Sequence, residues 1–542
     1  MHASTPTARL TLYPRCYETQ QFCVAADTKT NGIIRELVSK WALSGKAYTF
    51  ASHLGGRCRM KEAAQNLYTD RANRSTSLSW AFGGISVGIK NNLLGVWILF
   101  YYNQVLGLDA YLVSIALAIA LVIDAISDPI VGVWSDRVRT RWGRRHPFMY
   151  AAVVPFTASY FLILQEPPGT SDENTFFRLL ILMVVMRISM TFYEVPRGAL
   201  GPELSKDYDQ RNTLAGLSSA FGWFGGAVLS HYVMSAYLLE GSFSDAEGYK
   251  LLGFWGGCWL FLGTLVASLG THRTIPSLYQ PPTKSLRLTL VFAELRETLS
   301  NRNWLILFAS GCVYAIQVGA DTGTTTYYNE YLWQWRPQEI AIFAVCQAVA
   351  VIAVSLLAPY FSKGRNKKNV AVAVFLLATL IGPLPYFLRL VDPLTDFSTF
   401  FSNGTDYLWW TLLIHSCIGN SLAALGFIYV ASMGMEIVEE VQATTGRREE
   451  ALLGTASSMM HKLIGAGGTL LAGIIVSFSG FDDPNLTYET ATTSAITSFS
   501  WIHVGFSFFL PLISTALVAF FKIERDDHEA RTKQLGYARE KA

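Results

Sequence analysis

From position 79 onward the chain alternates long apolar runs with short polar breaks. Each run is about twenty residues or more, the length a helix needs to cross the roughly 30 Å hydrocarbon core of a bilayer. Backbone groups in hydrocarbon must be satisfied within their own segment, so such runs are read as helices. They predict about twelve spanning helices, over 79–105, 109–135, 147–165, 175–200, 213–239, 248–271, 303–332, 338–361, 369–390, 407–433, 451–478 and 498–522. The expected class is an all-α integral membrane protein.

The polar break 273–302, with Arg273, Lys284, Arg287, Arg296 and Arg302, divides these spans six and six. The first span ends Phe100-Tyr101-Tyr102-Asn103-Gln104 and the seventh Thr326-Tyr327-Tyr328-Asn329-Glu330, and a basic segment follows both the second and the eighth spans. Repetition at matching places in two halves marks a transporter of two pseudo-symmetric six-helix bundles with cargo held between them. The expected domains are therefore an N-terminal bundle at 78–272, a central cytoplasmic linker at 273–302, a C-terminal bundle at 303–522 and a cytoplasmic tail at 523–542. Residues 1–77 hold no spanning run and no signal-peptide pattern, and Met60 opens MKEAAQNLYTDRANRS just before the first span. This stretch is expected to be a disordered cytoplasmic extension, with initiation at Met60 as the alternative.

Composition agrees with a polytopic protein: 51% of the 542 residues are hydrophobic and 15% are charged, too apolar for an ordinary soluble chain. A net charge of +3 calls for no acidic partner, and no nucleic-acid partner is expected. Charge placement says more. Arg137, Arg139, Arg141, Arg144 and Arg145 follow the second span, Lys363, Arg365, Lys367 and Lys368 the eighth, and Arg447 and Arg448 the tenth. Asp172, Glu173, Asp392, Asp396, Asp482 and Asp483 occupy opposite breaks. The positive-inside rule then puts both termini in the cytoplasm of a cell whose plasma (inner) membrane the chain crosses. Seven cysteines without paired or metal-ligand spacing are expected to be packing residues. No nucleotide loop, metal cluster or nucleophile motif appears, so no enzyme and no cofactor are expected.

Two carboxylates, Asp124 and Asp128, sit one turn apart within YLVSIALAIALVIDAISDPIVGVW. An ionised group at that depth costs about 2.5 kcal/mol or more, so such acids usually line a pathway or hold an ion. At i, i+4 they share a helix face and repel unless a cation or proton is shared. Thr191 and Glu194, at i, i+3, add oxygen donors, which suit a hard alkali cation. A purely structural pairing with a helix-borne cation is the competing explanation. Pro196, two residues on, is expected to loosen the local backbone.

The segment Gly132-Val133-Trp134-Ser135-Asp136-Arg137, followed by Gly143-Arg144-Arg145, resembles the loop motif of the major facilitator superfamily. Its expected role is a charge lock on one access state, with Asp136 facing a helix N-terminus or an Arg of a neighbouring helix. Within that superfamily, LSWAFGGISVGIKNNLLGVWILFYYNQVLGL (78–108), IDAISDPIVG (123–132), TFYEVPRGALGPEL (191–204) and EIVEEVQATTGRREEALLGTASSMMHK (436–462) resemble the melibiose-permease-like glycoside-pentoside-hexuronide:cation symporters. The resemblance covers about 78–522. It implies a sodium ion or proton at Asp124, Ser127, Asp128, Thr191 and Glu194, with Lys462 facing the cavity and neutralising the acids when the ion is absent. It also implies symport of a sugar, glycoside or hexuronide by alternating access.

The pattern departs from the melibiose-transporting members at three places. Their sugar-binding acid of the first helix falls at Gly88, an arginine at Ser219 and a sugar-stacking tryptophan at Gly198. The expected cargo cavity instead draws on Lys90, Asn91, Arg187, Asp321 and Lys462. Lys90, Arg187 and Lys462 either present positive charge to an anionic cargo or pair with Asp124, Glu194 or Asp321. Trp97, Tyr101, Tyr193, Tyr314 and Tyr327 are candidates for sugar stacking or for packing. Alternative cargoes are a lysolipid or organic anion, and a nontransporting sensor is the reading from another class. The expected partners are a small molecule, a sugar or sugar acid, and the lipid bilayer, and the expected state is a monomer.

Overall fold

The computed structural model describes residues 72–165, 171–205, 208–275, 301–363, 365–395, 402–445, 450–481 and 493–522. Within them the chain forms twelve long helical rods, ten of which are long and apolar enough to cross a membrane. The N-terminal set is α1 (Arg74–Val105), α2 (Ala110–Arg137), α3 (His146–Ile163), α4 (Asp172–Leu204), α5 (208–238) and α6 (Ala246–His272). The C-terminal set is α7 (Arg302–Leu332), α8 (Pro337–Ser362), α9 (Lys367–Val391), α10 (Asp406–Thr445), α11 (Glu450–Phe478) and α12 (Thr493–Ala519). The expected extension up to residue 71, the linker over 276–300 and the tail from 523 lie outside the described residues. The first helix starts at Arg74, a turn before the apolar run, because Asn73 caps it by accepting from the Ser75 amide. Asp109, Asp245, Asn301 and Asn366 cap α2, α6, α7 and α9 in the same way.

The internal repeat read from the sequence is visible in the backbone. Both Tyr-Tyr-Asn segments end their rods in π-helical turns, Tyr101–Val105 in α1 and Tyr328–Leu332 in α7. The bundles meet through α2 against α11 and α5 against α8, contacts that exchange when the halves are swapped, with α1 against α7 between them.

One end of the rods, here called distal, carries the turns after α1 and α7. Hydrogen bonds between the bundles cluster there. Tyr327 Oη donates to Asn103 (2.8 Å), Tyr331 Oη to Gln104 (2.6 Å), Gln104 Nε2 to the Phe481 carbonyl (2.7 Å) and Gln338 Nε2 to the Leu239 carbonyl (2.6 Å). Below this seal a cavity of about 920 Å³ runs between the bundles, from Trp333 and Trp335 towards Trp80 and Arg197.

Candidate functional site

The acids of α2 sit where α2, α4 and α11 converge. Asp124 is fully buried, and its Oδ1 accepts from Thr191 Oγ1 (3.0 Å), whose oxygen is also 3.0 Å from Ser127 Oγ. Its Oδ2 lies 2.8 Å from Lys462 Nζ and 3.5 Å from Arg187, both ion pairs; no well-directed hydrogen bond reaches that oxygen. Lys462 also donates to Asp128 Oδ2 at 2.5 Å, so one ammonium from the C-terminal bundle bridges both acids of the N-terminal bundle. The spacing of α4 produces this arrangement. Arg187, Thr191 and Glu194 recur at i, i+4, i+7 and present one polar stripe, and α4 stays helical through Pro196 and Pro202.

Glu194 takes a different partner from the one its spacing suggested. Its carboxylate accepts from Lys90 Nζ of α1 at 3.0 Å, while Arg187 of the same stripe pairs with Asp124 at 3.5 Å. Among the described residues no three His, Cys, Asp or Glu side chains gather into a metal-holding group. The oxygen donors that converge are Asp124, Asp128, Ser127 and Thr191. Three cations and three carboxylates thus balance inside the membrane, which offsets part of the cost of burying each one alone.

That balance also decides what lines the cavity. Asn91 and Asp321 are on its wall; Lys90, Arg187 and Lys462 are not, because each is turned onto a carboxylate. Position 88 is closed to any side chain: a Cβ on Gly88 would collide with the Gly222 carbonyl oxygen and come within 2.7 Å of the Gly226 nitrogen, where α1 and α5 touch backbone to backbone. Gly198 faces open space and Ser219 lines the cavity, so the two other sugar-binding positions of the melibiose-transporting members are small here and leave room. The candidate stacking aromatics are packing residues. Trp97 stacks on His231, Tyr101 on Tyr249, and Tyr314 meets Phe427 edge-on; Tyr193 and Tyr327 are fully buried.

The loop after α2 closes a charge cluster at the end opposite the seal. Gly143 takes a φ of +76°, open to glycine at little cost, and Arg145 is the N-cap of α3. Arg144 and Arg145 reach Asp136 at 3.8 and 3.1 Å, and both bind Glu203 near the end of α4. Arg137 is exposed beside this cluster, and Gly132 lies against Val195 in ordinary contact. Sequence reasoning quoted Glu203 within a longer stretch without assigning it a partner. Its signal was an acid at the end of an apolar helix, opposite a run of arginines. The second bundle repeats the device: Lys367, opening α9, donates to Glu436 of α10 at 2.8 Å. His503 in α12 was also missed; its Nδ1 lies 3.7 Å from Asp321.

The family model described as MFS/sugar transport protein matches residues 79–525. Over 172 residues, 31% of each chain, the protein is 33% identical to an uncharacterised symporter of Synechocystis. It is 21% identical over 466 residues to the isoprimeverose transporter of Lactiplantibacillus pentosus, covering 83% of this chain and 89% of that one. It is 22% identical over 467 residues to a glucuronide carrier homologue of Escherichia coli, covering 82% and 93%. Among solved structures, a bacterial homologue of the human lysosomal transporter Spinster superposes with a TM-score of 0.53 at 14% identity, covering 86% of this chain and 98% of that one, a likeness of fold alone. The chain belongs to the MFS/sugar transport family, as a multi-pass secondary transporter of the glycoside-pentoside-hexuronide symporter type and not an enzyme.

Proposed function

We propose that this protein couples the inward movement of a sugar or glycoside to a sodium ion or proton bound at Asp124, Asp128, Ser127 and Thr191. The observation that carries the reading is Lys462, which bridges both α2 acids from the opposite bundle. A cation entering this cluster competes with the ammonium for the same carboxylate oxygens. Ion binding therefore releases the tie between α2 and α11, and the ion's differential affinity for tied and untied states drives alternating access. Glu194, held by Lys90, tunes the cluster through Arg187 and stands outside the ion's ligand set.

With the basic segments facing the cytoplasm, the sealed distal end is the external gate and the cavity serves the inner side. The protein then acts as a monomer in the plasma membrane, with the clamps Asp136–Arg144–Arg145–Glu203 and Lys367–Glu436 on its cytoplasmic face. Uptake of labelled glycosides into membrane vesicles, with and without sodium or proton gradients, tests the proposal. Asp124→Asn is expected to abolish gradient-driven accumulation while the protein remains folded; undiminished accumulation overturns the ion-site assignment. Labelled lysolipid and organic anions offered in the same assay test the alternative cargoes.

A further inference from the structure

We propose that the carrier selects neutral, polyhydroxylated cargo over sugar acids, and that Asp321 is the cavity residue that accepts cargo hydroxyls and repels anions. The inference rests on reading the central cavity as the cargo site. Three of the cations within the membrane, Lys90, Arg187 and Lys462, are held on Glu194, Asp124 and Asp128 and do not line the cavity. Among the described lining residues, only Arg197 and Asp321 carry formal charge. Arg197 is 6% exposed and tied down: it donates to the Trp80 carbonyl at 3.0 Å and to Ser218 at 2.6 Å, with its guanidinium over the Trp80 ring. Asp321 differs in that its side chain is 45% exposed, on the cavity wall.

The surroundings of Asp321 leave its oxygens available. His503 Nδ1, at 3.7 Å, lies beyond hydrogen-bonding distance, and its ring is held between Tyr386 and Tyr328 at 3.9 and 4.5 Å. His503 is 3% exposed, so it backs the carboxylate and leaves the front to the cavity. A carboxylate accepts at up to about four lone-pair positions, which matches adjacent hydroxyls of a sugar ring. Trp333, Trp335 and Tyr386 line the same wall region and offer apolar faces for the C–H surfaces of that ring. A cargo carboxylate in this place meets a like charge, and the one cation among the described lining residues, Arg197, is held on Trp80 and Ser218.

The test is counterflow of labelled sugar by the purified full chain in proteoliposomes, with isoprimeverose, lactose, methyl glucuronide and glucosamine as probes. The wild-type protein is expected to prefer the neutral sugars over the glucuronide by at least tenfold. Asp321→Ala is expected to raise the KM for the neutral sugar about tenfold. Asp321→Asn, which keeps an acceptor oxygen and loses the charge, is expected to raise it less and to shrink the discrimination against glucuronide at least tenfold. Unchanged selectivity in Asp321→Asn overturns the inference, as does wild-type preference for glucuronide, or no sugar counterflow at all. Because counterflow needs no ion gradient, a failure of ion coupling leaves these outcomes readable, and altered selectivity without coupling supports the Asp321 role alone.

Discussion

Replacing Lys462 with Gln asks whether one ammonium holds the place of the coupling ion. Lys462 Nζ lies 2.8 Å from Asp124 and 2.5 Å from Asp128. At an effective dielectric constant of 20, the nearer-buried contact alone has a gross Coulomb energy of about 6 kcal/mol. Desolvation of both partners offsets much of this, and removing one member of a buried pair typically destabilises by about 3–5 kcal/mol. The Lys462 and Asp128 side chains are 25% and 23% exposed, so screening lowers the expected loss to about 2–4 kcal/mol. The loss falls on a pair of facing carboxylates, and either a bound cation or protonation relieves it. A ligand present at about a hundredfold its Kd returns about 2.7 kcal/mol. Lys462→Gln is therefore expected to melt below the wild type in sodium-free buffer, and to recover most of the difference in sodium or at lower pH, whichever coupling ion is used. Wild type gains less, because its own lysine competes. Thermal unfolding in detergent, at fixed protein concentration and across these buffers, reads the effect directly. Equal melting of the two proteins in every buffer, or equal gains from the cation, refutes the reasoning.

Two further outcomes follow from packing. Gly88→Asp, which restores the acid of the melibiose-transporting members, is expected to abolish folding and surface expression, because the backbone of α5 occupies the space that Cβ needs; expression with gained melibiose uptake would refute this. Tyr331→Phe removes a buried hydrogen bond to Gln104, weakens the distal seal by about 1 kcal/mol, and is expected to speed labelling of a cysteine introduced at Trp333 from the side of the seal; an unchanged labelling rate counts against the gate.

Much of the fold was legible because the bilayer restricts what a chain can be. Length and apolarity located the rods, and the Tyr-Tyr-Asn pair located the repeat, which the structure returns as matched π-helical turns. Even so, 208–238 falls short of the apolarity of a plain span among the described residues, because α5 carries glycines for backbone contact with α1. Helical spacing also predicted that Asp124 and Asp128 share a partner and that Arg187, Thr191 and Glu194 share a face. Spacing along one helix says nothing about which neighbour that face meets. Glu194 therefore reads as an ion ligand in the sequence and is Lys90's partner in the fold.

The same limitation explains why the sequence leaves the charge of the cavity open between an exposed basic interior and cations paired with acids. Counted along the chain, Lys90, Arg187 and Lys462 suggest a basic interior suited to an acid cargo. Placed in space, each is cancelled by a carboxylate within 3.5 Å. What remains facing the cavity is set by the residues left over after pairing: an acid at Asp321, amides such as Asn91, and aromatic rings. The proposed coupling cluster and the cavity wall are thus chemically separate, and Lys462 belongs to the first. Ion binding can then act on the contact between bundles without altering the charge the cargo meets. Under the proposed mechanism the paired acids and Lys462 set how the bundles move, while unpaired wall positions such as Asp321 and Ser219 set what moves with them.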